Sequence, residues 1–237
     1  MSGFFMHRFF VSAPLLKEII LSTGELYHQI AHVFRARIGE DVILFSEWTD
    51  DIVYEIESIS KKWMILKQRE VLSNHFSTSW TRLTVFQAYP NKLSTLELLV
   101  QKFTELWVER VVFFKSEHAQ TQDISEAKKS RIAIIAREAL EQCGANKSLE
   151  IEYSSQTLQN LLKAYSDYTH IVGHYEGKES PEIAKKTSLA LWIGPEGGWS
   201  KSEKQFFEEQ KMTLWKFNNR ILRLETAAIV GAGILLS

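Results

Sequence analysis

The chain has 237 residues, 45% of them hydrophobic and 24% charged, enough to bury one large core or two small ones and too apolar for a disordered chain. Its net charge of −1 excludes a protein that holds nucleic acid by bulk charge, so any RNA contact must be a local patch. The lone Cys143 excludes an internal disulfide and a cysteine zinc cage, and reads as a small buried apolar residue.

The start of the chain is apolar at Phe4, Phe5, Phe9 and Phe10, but His7 and Arg8 break the run that a signal peptide needs. The longest apolar stretch, residues 227–236, falls well short of the roughly 20 residues that span a bilayer. The expectation is a cytoplasmic protein without membrane contact.

Residues 25–34 read as a helix before a turn at Gly39. Residues 43–45, 53–56 and 63–66 are short β-branched and aromatic strands separated by polar turns, the pattern of a small barrel or sandwich. A polar stretch around residues 72–81 suits a linker. Beyond it the pattern changes. Residues 83–88 predict a strand, and residues 94–107 an amphipathic helix with Leu96, Leu99, Val100, Phe103 and Leu106 on one face. Residues 111–114 predict a buried strand, residues 125–142 a helix capped by Ser125 and followed by Gly144, and residues 169–173 and 188–194 further strands. Alternating strands and helices define an α/β domain with a mostly parallel sheet.

Two stretches carry chemistry. In the first, an apolar strand ending at Ile193 runs into Gly194, Pro195, Glu196, Gly197 and Gly198, and then Ser200 and Glu203 have the spacing of a capping box. Glycines at the carboxyl end of a strand allow close backbone approach to a ligand, though a tight strand-to-helix turn with nothing bound would look the same. The lysine of a P-loop and the GxGxxG pattern are both missing. The second stretch is Asn219-Arg220-Ile221-Leu222-Arg223-Leu224-Glu225-Thr226-Ala227-Ala228, whose charges at the edge of a buried segment need partners; a salt-bridged helix start is the plain alternative. His28 and His32 have the i, i+4 spacing of a metal pair, but nothing nearby supplies a third ligand, and no metal is expected.

Gly-Pro-Glu-Gly-Gly followed by Arg-Ile-Leu-Arg-Leu-Glu-Thr-Ala resembles the RsmE family of 16S ribosomal RNA uridine methyltransferases, within the SPOUT superfamily. The resemblance extends along the chain through Met6-His7-Arg8-Phe9-Phe10-Val11, through His28 with Val33-Phe34-Arg35 and Gly39, through Gln101-Lys102-Phe103-Thr104-Glu105-Leu106, and through Arg131, Glu138-Ala139 and Glu141-Gln142. It departs at Trp107, where the family has glycine, at residues 144–147, which lack an arginine, and at Asn218-Asn219, where the family has Leu-Gly.

The resemblance implies a PUA-like RNA-binding β-barrel over residues 1–72, a linker over 73–81, and a SPOUT α/β domain with a deep trefoil knot over 82–237. It implies S-adenosylmethionine held by Val172, Gly173, Ile193, Gly194, Pro195, Glu196, Gly197, Gly198, Ile221, Leu222, Arg223, Glu225, Thr226 and Ala227. Methylating a uridine ring nitrogen removes a proton and builds charge on the ring carbonyls. Arg223 or Arg220 would stabilise that charge, while Glu196 or Glu225 would orient the base or accept the proton; Glu225 could equally anchor Arg223. His7, Arg8, Arg35 and Arg37 would form the RNA patch, with a solvated face the alternative for Arg35 and Arg37. The implied partners are 16S rRNA in the assembled small subunit and a second copy of the chain. Methylation of another RNA nucleoside, or an RNA- or ribosome-binding relative without catalysis, are the competing readings.

Overall fold

The computed structural model describes residues 7–47, 49–73, 81–119, 124–179 and 188–237. These fall into two compact units: residues up to 73 together with Leu140–Lys147, and the remaining described residues. Met6 and residues 74–80 of the expected linker lie outside the described residues.

The first unit contains β1 (Arg8–Phe10), β2 (Glu18–Ser22), α1 (Glu25–His28), β3 (Asp41–Phe45), β4 (Asp51–Ile59) and β5 (Trp63–Leu72). They form a five-stranded sheet in the order β1-β3-β4-β5-β2, with β1 parallel to β3 and the other neighbours antiparallel. Phe9, Ile30, Leu44, Tyr54, Ile56, Met64 and Leu66 are its core. The expected helix over 25–34 keeps α-geometry only to His28 and continues as a π-helical turn, Gln29–Val33. Arg35 then leaves the turn with φ 54°.

Arg8 is the unit's internal tie. Its Nε and Nη2 donate to the two carboxylate oxygens of Asp51 at 2.8 and 2.9 Å, and its Nη1 donates to the carbonyls of Leu140 and Ala145 at 3.1 and 2.8 Å. The guanidinium also lies 3.3 Å over the Phe45 ring. The Phe10 N–H donates to Glu141, so Leu140–Lys147 is stitched to β1 from both sides of the strand's polar backbone. Cys143 is half-buried rather than enclosed, because it lies in this returning stretch and not in a core.

The second unit is the parallel α/β domain that the sequence predicts. It runs β6 (Arg82–Ala88), α2 (Leu93–Glu105), β7 (Arg110–Phe114), α3 (Glu126–Cys143, of which the last turn belongs to the first unit), β8 (Glu150–Tyr153), α4 (Leu158–Ala164), β9 (Thr169–Lys178), β10 (Ser188–Ile193), α5 (Lys201–Glu209), β11 (Thr213–Trp215) and α6 (Leu224–Leu236). The six strands are all parallel, in the order β11-β9-β10-β6-β7-β8.

Both faces of this sheet are buried, which explains the unbroken apolar runs of its strands. Leu189, Leu191 and Ile193 of β10 pack with α2 and α6 residues, while Ala190 and Trp192 pack with Leu161 of α4 and Phe207 of α5. Gly144 closes α3 at φ 80°, as a helix-ending glycine does. Trp107 stands just past α2 at φ 63°, its N–H bonded to the Thr104 carbonyl. That left-handed backbone is the physical reason a glycine belongs there in the resembled family.

β9 runs five residues beyond the expected end at Gly173, reaching Lys178 because β11 gives it a partner across a bulge at Leu214/Trp215. Gly177 is what permits that approach: a Cβ there would lie 2.6 Å from the Leu214 carbonyl carbon and the Trp215 nitrogen, both backbone atoms. Gly177→Ala is therefore expected to destabilise the protein by about 2–3 kcal/mol, read as a lowered urea midpoint at unchanged slope.

Candidate active site at the carboxyl ends of the sheet

In the strand order, β6 to β8 lead away on one side of β6 and β10, β9 and β11 on the other. Loops leaving β6 and β10 therefore diverge and open a crevice at the carboxyl ends of the strands, where open α/β sheets bind ligands. A cavity of about 750 Å³ lies there. Asn91, Lys92 and Thr95 line it from the end of β6 and the start of α2, and Gly173, His174 and Tyr175 line it from β9. The loop after β10 contributes Ile193, Gly194, Pro195, Glu196, Gly197, Gly198 and Trp199, and α5 contributes Lys204. The stretch from β11 into α6 supplies Trp215, Lys216, Phe217, Asn218, Arg220, Ile221, Leu222, Arg223, Leu224, Glu225 and Ala227.

The two stretches singled out in the sequence thus meet, although they are far apart along the chain. Each is held by local bonds. Ser200 caps α5 by accepting from the Glu203 N–H at 3.1 Å, and Glu203 Oε2 accepts from the Ser200 N–H at 2.8 Å, completing the expected capping box. The other Glu203 oxygen accepts from the Ser116 hydroxyl and the Glu117 N–H, tying the helix start to the loop after β7. Glu203 is buried, with its charge placed at the favourable end of the helix dipole. His118 Nδ1 meets the Gly198 carbonyl at 3.1 Å, and the Trp199 indole N–H donates to the Gly173 carbonyl at 3.1 Å.

Glu196 accepts from the Asn91 N–H at 3.0 Å, so one carboxylate oxygen fastens the loop after β10 to the loop after β6. Arg223 is the N-cap residue of α6, and Glu225 sits in that helix's first turn. Among the described residues no ion pair joins Arg223 to Glu225, so the salt-bridged helix start considered for these residues is not formed. Arg220 and Arg223 are exposed at the cavity, and Ile221 between them is 83% exposed.

Two expected cofactor residues stand apart from the cavity wall. Val172 is fully buried in the core beneath Gly173, and Thr226 is exposed on α6. The expected RNA residues divide as well. His7 is exposed with its ring 3.9 Å from that of Phe34, and Arg35 and Arg37 are exposed, whereas the Arg8 side chain is only 9% exposed and is taken up by bonds to Asp51 and the carbonyls. Asn91, Lys92, His174, Trp199 and Phe217 line the cavity without having been singled out by the sequence. The nearest signal was position, since His174 follows Gly173 directly and Trp199 follows Gly198.

Two wall residues carry buried polar atoms without a partner among the described residues: His174 Nε2 and Asn91 Oδ1. Burial and the nearby Lys204 ammonium hold the His174 imidazole below its usual pKa range, against the opposing pull of Glu176 and Glu208. Among the described residues there is no cluster of three or more His, Cys, Asp or Glu side chains that could hold a metal; the His28 and His32 ring centroids lie 5.1 Å apart, tilted at 44°.

A glycine-lined crevice at a sheet's switch point, with Arg220 and Arg223 at its wall and neither in an ion pair among the described residues, suits a ligand with anionic or polarised groups. Residues 77–236 match the RNA methyltransferase domain family, and the chain belongs to that family. It is 29% identical to ribosomal RNA small subunit methyltransferase E of Bacillus subtilis over 221 residues, covering 87% of this chain and 85% of the relative. The same-named protein of Helicobacter pylori (strain 26695) is 28% identical, covering 95% and 98%. Among solved structures, ribosomal RNA small subunit methyltransferase E of Neisseria gonorrhoeae, bound to S-adenosylmethionine, shares the fold at a TM-score of 0.84 and 22% identity, covering 97% and 96%. A methyltransferase of Legionella pneumophila with bound S-adenosylmethionine aligns at a TM-score of 0.84 and 24% identity, with the same coverage.

Proposed function

We propose that this chain transfers the methyl group of S-adenosylmethionine to N3 of a uridine in 16S rRNA, as part of small-subunit maturation in the cytoplasm. The observation that carries this reading is the convergence of the Gly194–Gly198 loop, the Arg220–Ala227 stretch and the end of β9 on one cavity. The residues fit the cofactor: the cavity has the volume of a small-molecule site, its walls combine glycine backbone and apolar side chains with charged and polar groups, and two buried polar wall atoms lack partners among the described residues. Full-length likeness to relatives named for ribosomal RNA small subunit methylation supports the substrate.

Gly173, the residues from Ile193 to Gly198, and Ile221, Leu222 and Ala227 would hold the cofactor. Bound there, S-adenosylmethionine supplies an electrophilic methyl group on a sulfonium. The chain's contribution is placement of the acceptor in line with it, which by effective molarity is worth several kcal/mol. The uridine N3 must lose its proton as it attacks, and negative charge then builds on the flanking carbonyl oxygens. Arg223 and Arg220, neither spent on an ion pair among the described residues, supply cations for that charge. Glu225, half-buried at the cavity and in no ion pair among the described residues, is the better placed carboxylate to take the proton, because Glu196 already fastens a loop through Asn91.

In this reading residues 1–72 are a PUA-like barrel that binds RNA through His7, Arg35 and Arg37, and residues 82–237 are the SPOUT domain. Its knot rests on the family resemblance of the Gly194–Gly198 and Arg220–Ala228 stretches. The exposed Ile221 beside the cavity and the apolar α6 suit a homodimer. Incubating the protein with small subunits lacking the modification and labelled S-adenosylmethionine, then digesting the rRNA to nucleosides, tests the reading. Label in 3-methyluridine is the expected result; label in another nucleoside, or none, overturns it.

A further inference from the structure

We propose that His174 is the side-chain donor that recognises the nucleoside half of the cofactor, through its Nε2–H. The inference rests on the proposed cofactor site and adds to it a residue that the glycine-rich stretches do not include. Its ground is the hydrogen-bond accounting around one ring. The Glu176 backbone N–H donates to His174 Nδ1 at 3.1 Å, so Nδ1 is the acceptor and the neutral ring carries its proton on Nε2. The side chain is 5% exposed, His174 lines the cavity, and its Nε2 has no partner among the described residues. A buried N–H left without an acceptor is costly, and nearly all such groups in folded proteins are paired. An acceptor on a ligand bound in the cavity that His174 lines would complete its pairing.

The chemistry of the acceptor follows from the charges around the ring. The ring stacks on Tyr175 at 4.8 Å, and Glu176 Oε2 lies 3.9 Å from Nδ1. Lys204 faces it from α5 and disfavours its protonation, while Glu208, also on α5, favours it. A neutral donor in a buried corner matches an uncharged oxygen or nitrogen, such as a ribose hydroxyl or a purine ring nitrogen. The cofactor's zwitterionic amino-acid end, with a full carboxylate and ammonium, is a poorer match for such a donor.

The test measures binding of S-adenosylhomocysteine and of methylthioadenosine, which lacks the amino-acid tail, by calorimetry. His174→Phe keeps the ring volume and removes the donor; His174→Gln restores an N–H near the position of Nε2. The expected result is a loss of at least tenfold for both ligands in His174→Phe, with His174→Gln within about threefold of wild type. In the wild type labelled with ¹⁵N-histidine, the His174 Nε2 resonance should shift on adding either ligand. Unchanged affinity in a folded His174→Phe overturns the inference, as does a loss confined to S-adenosylhomocysteine. If His174→Phe does not fold, an unmoved Nε2 resonance in saturated wild type overturns it. A wild type that binds neither ligand removes the cofactor site itself, and this inference with it.

Discussion

Arg223→Ala is expected to slow methyl transfer by about 10²–10³-fold while changing the affinity for S-adenosylhomocysteine by less than about threefold. The magnitude is that of removing one preorganised donor aimed at developing charge. Arg223 caps α6 through its backbone alone, with no side-chain hydrogen bond at that cap, and its carbonyl accepts from the Ala227 N–H at 2.8 Å. Alanine preserves the backbone bond, so the helix start should survive and the loss should report on the guanidinium. Single-turnover rates with saturating RNA and separate equilibrium binding give the two readouts. If the arginine offsets charge on a deprotonating N3, the residual rate of the variant should climb more steeply with pH than the wild-type rate, and free guanidinium should restore part of it. Equal losses in rate and in cofactor affinity would instead make Arg223 a cofactor-holding residue; an undiminished rate would remove it from the reaction.

Asp51→Ala is expected to cost about 3–5 kcal/mol of stability, the range for breaking a buried ion pair and leaving one partner behind. The Arg8 side chain is 9% and that of Asp51 11% exposed. Four of the five guanidinium N–H bonds are already made, two to Asp51 and two to carbonyls of Leu140 and Ala145. Without Asp51 the cation keeps its desolvation penalty and loses its counter-charge. Urea unfolding measures the cost, and a midpoint unchanged from wild type would contradict the buried-pair account. Arg35→Ala and Arg37→Ala make the informative contrast. Both side chains are exposed, so stability should stay within about 0.5 kcal/mol, while RNA affinity and its salt dependence fall.

That contrast shows where the sequence stopped being readable. His7, Arg8, Arg35 and Arg37 are alike on paper: basic residues near aromatic ones. What separates Arg8 is Asp51, 43 positions away and joined to it only once β1 lies along β3 and β4. The α/β domain was legible because both faces of its sheet are buried, giving Val111 to Phe114 and Leu189 to Ile193 their unbroken apolar runs. β1, β2, β8 and β11 were not, since they are three to five residues long and each alternates or stays half-exposed over most of its length. The glycine-rich loop and the arginine stretch were visible as composition, and the family resemblance supplied their shared ligand. His174 was invisible as a site residue, because its unsatisfied Nε2 exists only after the chain folds Glu176 back onto Nδ1.

Phe217 lies between β11 and the arginines, and its ring occupies space that two methyl groups would deny it. A Cβ on Gly173 would come within 2.8 Å of that ring, and one on Gly231 of α6 within 2.9 Å. Trp215 adds an edge contact at 4.7 Å. The stretch that carries Arg220 and Arg223 is thus moored at one end by a ring seated between two bare backbones, three and six residues upstream of the charges. A mooring made of shape has no charge to screen and no proton to lose, so the aim of those arginines should be insensitive to salt and acidity. It should be acutely sensitive to one added carbon, even at Gly231, which is not itself part of the cavity wall.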